Sequence, residues 1–121
     1  MKYEISLSDD GSYLHIRLFQ SITAELERIF AEEAINAARG KGILRYFADV
    51  RGIKNVADPA EKYVLANEEM KHFGLDPASR VAVLISPGDH SHDFIETVFR
   101  NAGFNFRLFK DEGEALDWLK K

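Results

Sequence analysis

The chain opens with two short runs that alternate polar and apolar residues, Tyr3-Glu-Ile-Ser-Leu7 and Leu14-His-Ile-Arg-Leu18. A period of two sends successive side chains to opposite faces, so both runs predict half-buried strands. Asp9-Asp10-Gly11-Ser12 lies between them, and Asp-Gly in that setting predicts a tight antiparallel hairpin with a type I′ turn. The period then lengthens. From Thr23 to Arg39, Leu26, Ile29, Phe30, Ala34 and Ala37 fall on one helical stripe, with Thr23 as cap and Glu25 and Glu27 at the positive end of the dipole. Gly40 and Gly42 predict its end, and Ile43 to Asp49 reads as a strand. Asp58-Pro59-Ala60-Glu61 predicts a sharp helix start, joining an acidic cap, a proline at the first position and a capping-box glutamate. Ala60, Tyr63, Val64, Ala66 and Met70 form the apolar face of that helix, and Gly74 its stop. Arg80 to Ser86 is almost continuously apolar, as a strand covered on both faces should be. His92 to Ala102 carries Phe94, Ile95, Val98 and Phe99 at helical spacing and closes on Gly103. Phe104 to Phe109 is the last strand, and Asp111-Glu-Gly-Glu114 predicts a second capping box before a terminal helix bearing Leu116, Trp118 and Leu119.

The order is ββαβαβαβα. A hairpin followed by alternating helices and strands predicts an α/β fold. Its mixed sheet has about five strands, mostly parallel after the first, packed with about four helices. No repeat, low-complexity tract or linker divides the chain, so residues 1–121 are expected to form a single domain. In such sheets ligands sit beyond the carboxyl ends of the parallel strands. Those ends are Asp49-Val50-Arg51-Gly52, Ser86-Pro87-Gly88-Asp89-His90 and Lys110-Asp111.

Composition narrows the function more than it identifies it. A chain of 121 residues can bury about two-thirds of its surface without a disulfide or metal staple. With 16 Lys+Arg against 20 Asp+Glu, the formal charge of −4 argues against a module that works by neutralising nucleic-acid phosphates. The absence of cysteine excludes thiol catalysis and thiolate zinc sites. The first residues lack the apolar core of a signal peptide, and no apolar run approaches the roughly 18 residues of a membrane span. A cytoplasmic protein without an integral membrane segment is the expectation.

The residues at the strand ends admit several chemistries, each weak. Asp49, Ser86 and Lys110 end three strands, as the acidic, hydroxyl and lysine groups of a phospho-acceptor receiver do. A receiver, however, has a helix where this chain has its first hairpin. Asp49 has a simpler role in accepting backbone N–H bonds in its turn or pairing with Arg51. His90-Ser91-His92-Asp93 contains metal-ligand types, but histidines two apart on a helix point apart and no third ligand is evident. A helix start capped by Asp89 or Ser91 accounts for that segment equally well. No glycine-rich phosphate cradle follows a strand, and no nucleophile elbow surrounds Ser86 or Ser91. Most of the nine Phe, four Tyr and one Trp belong to a core, and what remains is an aromatic-lined cleft near Tyr63 and Phe94 for an apolar ligand. Lys54, Lys62, Lys71, Lys120 and Lys121 read as solvated charges.

Two segments add a family. Phe47-Ala-Asp-Val-Arg-Gly-Ile-Lys-Asn-Val56 is similar to a strand end of the form D-[LV]-[RST]-G followed by a turn into a helix. Arg80 to Ile85, Asp93 to Gly103 and Phe106 to Leu119 end on the pattern F-x-D-x-x-E-A-L-x-W-L. Together with the element order they resemble the STAS superfamily, in its SpoIIAA-like branch of small bacterial proteins, over essentially the whole chain. The matched positions are mostly core and caps, so they bear on fold more than on function. In the anti-anti-sigma members of that superfamily, a serine at the start of the helix after the third strand is phosphorylated by a partner kinase. Asp58 or Pro59 stands at that place here, so the phospho-acceptor serine is absent.

The resemblance and the lack of a catalytic set imply a non-enzymatic binding or regulatory module. It would act through the loop after the third strand and the following helix start, with Asp49, Arg51, Asp58, Ser86 and His90 as candidate contacts. The other reading is a carrier of a lipid or small apolar ligand, with Tyr63 and Phe94 at its cleft. Neither reading implies a cofactor or metal. The partner is a protein or a small apolar molecule rather than nucleic acid, and pairing with a second copy of the chain is compatible with both.

Overall fold

The computed structural model describes residues 1–121. Strands β1 (Tyr3–Leu7) and β2 (Leu14–Leu18) pair antiparallel, with Tyr3 opposite Leu18 and Leu7 opposite Leu14. The hairpin forms as expected, but its turn is not type I′. Gly11 alone has positive φ, and Ser8 and Tyr13 close a longer loop through Ser8 N–H to Tyr13 O at 2.9 Å. The Asp10 carboxylate accepts from the Ser8 hydroxyl and from both the backbone N–H and hydroxyl of Ser12, so Asp10 need not adopt the left-handed conformation a type I′ turn demands.

Helix α1 (Ala24–Lys41) starts on Thr23, whose hydroxyl accepts the Leu26 N–H at 3.1 Å. It runs through Gly40 and stops at Gly42, where φ is +69°. Its buried face is Ala24, Leu26, Phe30, Ala34, Ile35 and Ala38. Ile29 is 48% exposed, one position off the stripe assigned to it. Strand β3 (Arg45–Asp49) leads by a long loop into α2 (Pro59–Val64), a π-helical turn (Leu65–Glu69) and α3 (Met70–Phe73). The Asp58 capping box is complete, with Glu61 N–H to Asp58 at 2.9 Å and Asp58 N–H to Glu61 at 3.0 Å. The expected face is buried only in part: Ala66 and Met70 are buried as expected, joined by Lys62 and Leu65, whereas Ala60, Tyr63 and Val64 are exposed. The π turn inserts one extra residue, so Leu65 and Met70 both reach the core although they are five apart.

Strand β4 (Arg80–Leu84), α4 (Asp93–Asn101), β5 (Asn105–Phe109) and α5 (Glu112–Lys120) complete the chain. Asp111 caps α5 by accepting Glu114 N–H at 2.9 Å; the reciprocal bond of a capping box is not made.

The sheet order is β1-β2-β3-β4-β5, with every pair after the first parallel. Right-handed crossovers between successive parallel neighbours place all their helices on one face. That face holds a core of 23 buried residues, while α5 covers a smaller cluster of 6, including Phe47, Leu84, Phe109 and Leu119, on the other. This is the expected α/β fold with its mixed five-stranded sheet. Its asymmetry puts the volume for a site beneath α1 and α4. No helix is long and apolar enough to cross a membrane.

Candidate functional site

Beyond the carboxyl ends of β3 and β4, two loops are tied together by side chains. Asp49, the last residue of β3, is 4% exposed and accepts four hydrogen bonds. They come from the Arg51 backbone N–H at 3.1 Å, Arg51 Nε at 3.0 Å, Arg51 Nη2 at 2.7 Å and Arg17 Nη1 at 3.1 Å. A carboxylate has about four lone-pair sites, so Asp49 is saturated. Burial pushes its pKa up, but the hydrogen bonds from Arg51 and the charges of Arg51 and Arg17 outweigh this and hold it below the ordinary value. A carboxylate so engaged is a poor proton acceptor; it fixes the Arg51 guanidinium, which also lies 3.5 Å from Glu112.

The rest of the loop after β3 is held from the β4–α4 side. Ser86 Oγ accepts Gly52 N–H at 2.8 Å, His92 Nε2 donates to Ile53 O at 2.8 Å, and Lys54 Nζ meets Asp89 at 3.2 Å. Ser91 Oγ accepts Asn55 N–H at 3.0 Å. On the opposite side, Asn55 bridges to Ile22 ahead of α1. Successive residues from Gly52 to Asn55 thus each have a partner outside the loop, which is how a long connection keeps one conformation.

Behind the loop lies a buried polar cluster. Asp89 is 5% exposed and accepts Ser91 N–H at 2.9 Å. Burial pushes its carboxyl up, but the Ser91 hydrogen bonds, Lys54 and His92 bring it down to about 2. His92, 2% exposed, is lowered from the usual imidazole value by burial, with Ile53 O and Asp89 opposing. A carbonyl can only accept, so Nε2 carries the proton of the neutral ring and Nδ1 is an acceptor. Lys62 is buried and donates to Ser91 O at 3.4 Å. Glu27 on α1 receives Asn55 Nδ2 at 3.5 Å; burial of its carboxyl pushes it up to about 7, against the smaller pull of Asn55 and Lys62.

Glu27, Asn55 and His92 also line an internal cavity of about 70 Å³ between α1, the sheet and α4. Of its 19 lining residues 16 are apolar, among them Phe30, Ala34, Val83 and Ile95, so these three side chains supply its polar end. Glu27 is partly buried as a whole residue, and its carboxyl is the buried part.

The same architecture occurs in known proteins. The chain matches an uncharacterized DUF3478-family protein with a SpoIIAA-like fold from Shewanella loihica PV-4, at TM-score 0.61 and 21% identity over 97% of this chain and 91% of that one. It also matches the anti-sigma factor antagonist SpoIIAA in its unphosphorylated form, at TM-score 0.54 and 16% identity over 98% of this chain and 97% of that one. The chain has a SpoIIAA-like fold. A photosystem II D1 C-terminal processing protease contains a similar region, at TM-score 0.59 and 10% identity, covering 89% of this chain but only 36% of the protease. No family model and no curated protein matches the sequence.

Within this SpoIIAA-like fold, Asp49, Arg51 and Ser86 meet at one place, as the strand ends suggested. Asp58 stands at the far end of the same loop as a helix cap. His90 lies apart: its side chain is 80% exposed and pairs with Asp93 at 3.0 Å. Neither Asp89 nor Ser91 caps α4; the cap position is His92, which makes no side-chain bond to the helix, and Asp89 instead closes the turn before it. His90 and His92 point apart, and Ser91 Oγ and His92 Nε2 are each bonded to the loop rather than to one another. Tyr63 is 58% and Phe94 41% exposed, and neither lines the cavity. Lys62, read as a solvated charge, is buried, and Lys54 is paired. Glu27, Asn55 and His92 were not read as a site. Asn55 carries no sequence signal of it, whereas an acid four residues after Thr23 on a stripe that includes Phe30 could have been noticed.

Proposed function

We propose that residues 1–121 act as one STAS-like binding and regulatory domain that docks a protein partner through the loop after β3 and the start of α2. The observation that carries this reading is the combination of a loop held by Ser86, Asp89, Ser91 and His92 with exposed side chains on its outer side. Arg51 is 48% exposed in its side chain, Val56 is 58% exposed, and Tyr63 and Phe94 stand exposed on α2 and α4, which pack together beside it. A preorganised loop loses little conformational freedom on docking, and large apolar groups around a fixed arginine suit a protein surface. The anti-sigma factor antagonist sharing this fold favours a regulatory role for the module. Asp58 holds a fixed single charge at the helix start where a phospho-acceptor serine would stand, so binding here is constitutive rather than phosphorylation-switched. The saturation of Asp49 and the separate engagement of Ser91 and His92 favour binding over catalysis. A cytoplasmic setting and pairing with a second copy of the chain accord with the same reading.

Affinity capture with wild-type protein, Val56→Glu and Asp58→Arg tests it, with circular dichroism to establish folding. A complex retained by wild type and lost by both folded variants is the expected result. Equal retention by all three would remove the loop from the interface.

A second reading, a carrier of a small apolar ligand, is favoured by the cavity rather than by Tyr63 and Phe94. Thermal stabilisation by a bound ligand through mass action is its signature.

A further inference from the structure

The polar end of the cavity has an unequal supply of donors and acceptors. Asn55 gives one Nδ2 hydrogen to Glu27, keeps its second, and accepts Ala57 N–H on Oδ1 at 3.1 Å. His92 spends its proton on Ile53 O. What remains besides is the Glu27 carboxylate, whose one side-chain partner is the long 3.5 Å contact from Asn55, together with His92 Nδ1. Both are acceptors. Below them the wall is apolar, and 70 Å³ is several times the roughly 10–15 Å³ that one water needs. That leaves room for on the order of five non-hydrogen atoms. Water alone would leave most of this wall without contacts.

We propose that this cavity binds a small apolar molecule carrying a single hydrogen-bond donor, an aliphatic alcohol being the simplest case, with the donor on Glu27 and the apolar body among Phe30, Ala34, Val83 and Ile95. The proposal rests on the small-ligand reading and adds the chemistry of the head group. A hydroxyl fits better than the alternatives. The Lys62 ammonium already acts on Glu27 and His92, so a second cation at the same spot meets a like charge. A carboxylate ligand meets Glu27 itself. A hydrocarbon leaves the acceptors unpaired, and burying polar groups without partners is unfavourable. Glu27 lies in the first turn of α1 and Asn55 in the docking loop, so the head group sits where these two segments meet.

The test is titration of the 121-residue protein at pH 8, where Glu27 is ionised, with cyclopentanol, cyclopentane, cyclopentylammonium and the similarly sized cyclopropanecarboxylate, read by methyl NMR shifts of Ile22, Val83 and Ile95. Cyclopentanol should give saturable shifts and bind about tenfold tighter than cyclopentane, the worth of one buried hydrogen bond, and the two ions should bind more weakly than the alcohol. Glu27→Leu should abolish the advantage of the alcohol. Ala34→Leu should abolish binding by filling the cavity, with Ala31→Leu on the same wall as the substitute should Ala34→Leu not fold. Cyclopentane binding as tightly as the alcohol, or either ion binding more tightly, would overturn the head-group assignment while leaving the small-ligand reading intact. Absence of saturable shifts with all four compounds would overturn both, and unchanged binding in a folded cavity-filled variant would place the ligand elsewhere.

Discussion

Glu27→Gln should change how stability depends on pH. In the folded protein, burial raises the Glu27 carboxyl to about 7 from an ordinary 4.5. Its pKa is thus higher folded than unfolded, and the folded state binds the extra proton between these values. Linkage then fixes the sign: the contribution of Glu27 is fully present below pH 4.5 and is lost as the pH rises through about 7. The interval of about 2.5 pH units, at about 1.4 kcal/mol each, amounts to on the order of 3 kcal/mol. Glutamine keeps the shape and can still accept from Asn55, but it cannot ionise.

Urea unfolding of wild type and Glu27→Gln at pH 4.5, 6, 7 and 8 measures the effect. The variant should match wild type at pH 4.5 and gain on it steadily, reaching an advantage of about 3 kcal/mol at pH 8. His92 works in the opposite direction. Burial lowers its pKa, so its contribution is present above the ordinary 6.5 and lost as the pH falls below it. Because His92 is common to both proteins, its effect cancels in the difference. A difference between the two proteins that stays constant across the series would refute the argument, since it would mean that Glu27 titrates alike in the folded and unfolded chains.

Other residues make sharper, narrower demands. Asp89→Ala removes the carboxylate that faces Lys54 and His92 and accepts Ser91 N–H. Losing this buried acceptor leaves the Ser91 N–H without its partner and should cost about 1–3 kcal/mol in urea unfolding at pH 7. Wild type itself should lose the Asp89 contribution as the pH falls from 3.8 through about 2, a step absent from the acid unfolding of Asp89→Asn. Gly74→Ala combines a φ of +85° with a Cβ 2.9 Å from Arg39 Nη1. The left-handed conformation alone should cost about 1–2 kcal/mol in thermal unfolding, whereas alanine at Gly40, inside α1 with open space around it, should be neutral or stabilising.

The residues differ in how openly the sequence shows them. Periods of two and 3.6 arise from backbone geometry, so the strands, α1, α4 and the order of elements were readable before any contact was known. Asp58 and Thr23 were readable because a cap acts within three residues of itself. The reading failed where a long-range contact decided the outcome. Ile29 and Ile35 both have apolar side chains, and only the packing of α1 across the sheet selects Ile35. Lys62 lies four residues before buried Ala66 and turns inward while Tyr63 turns outward, which its charge does not announce, and no composition rule announces the added residue of the π turn. The pairing of Asp49 with Arg51 was visible at two residues' distance, but its saturation by Arg17 depends on β2 lying beside β3. Glu27, Asn55 and His92 come from three separate parts of the chain and share a cavity only after folding. For that reason a helix-dipole explanation of Glu27 looked sufficient.

The proposed docking loop and the proposed ligand cavity are not independent, because the same atoms build both. His92 holds the loop through Ile53 O while lining the cavity, and Asn55 is a loop residue whose amide reaches Glu27. A ligand that donates to Glu27 takes an acceptor site beside the 3.5 Å contact from Asn55, and so bears on the loop residue that bridges to Ile22. Coupling of this kind is reciprocal: whatever factor the ligand applies to partner affinity, the partner applies to ligand affinity. A ligand with no differential interaction between two loop arrangements would shift neither. Glu27→Leu separates the two cases. Suppose that it removes the preference for the alcohol and leaves partner affinity unchanged with and without ligand. The cavity is then a passive site. If partner affinity depends on the alcohol in wild type and loses that dependence in Glu27→Leu, the contact between Glu27 and Asn55 is the joint through which the cavity acts on the loop.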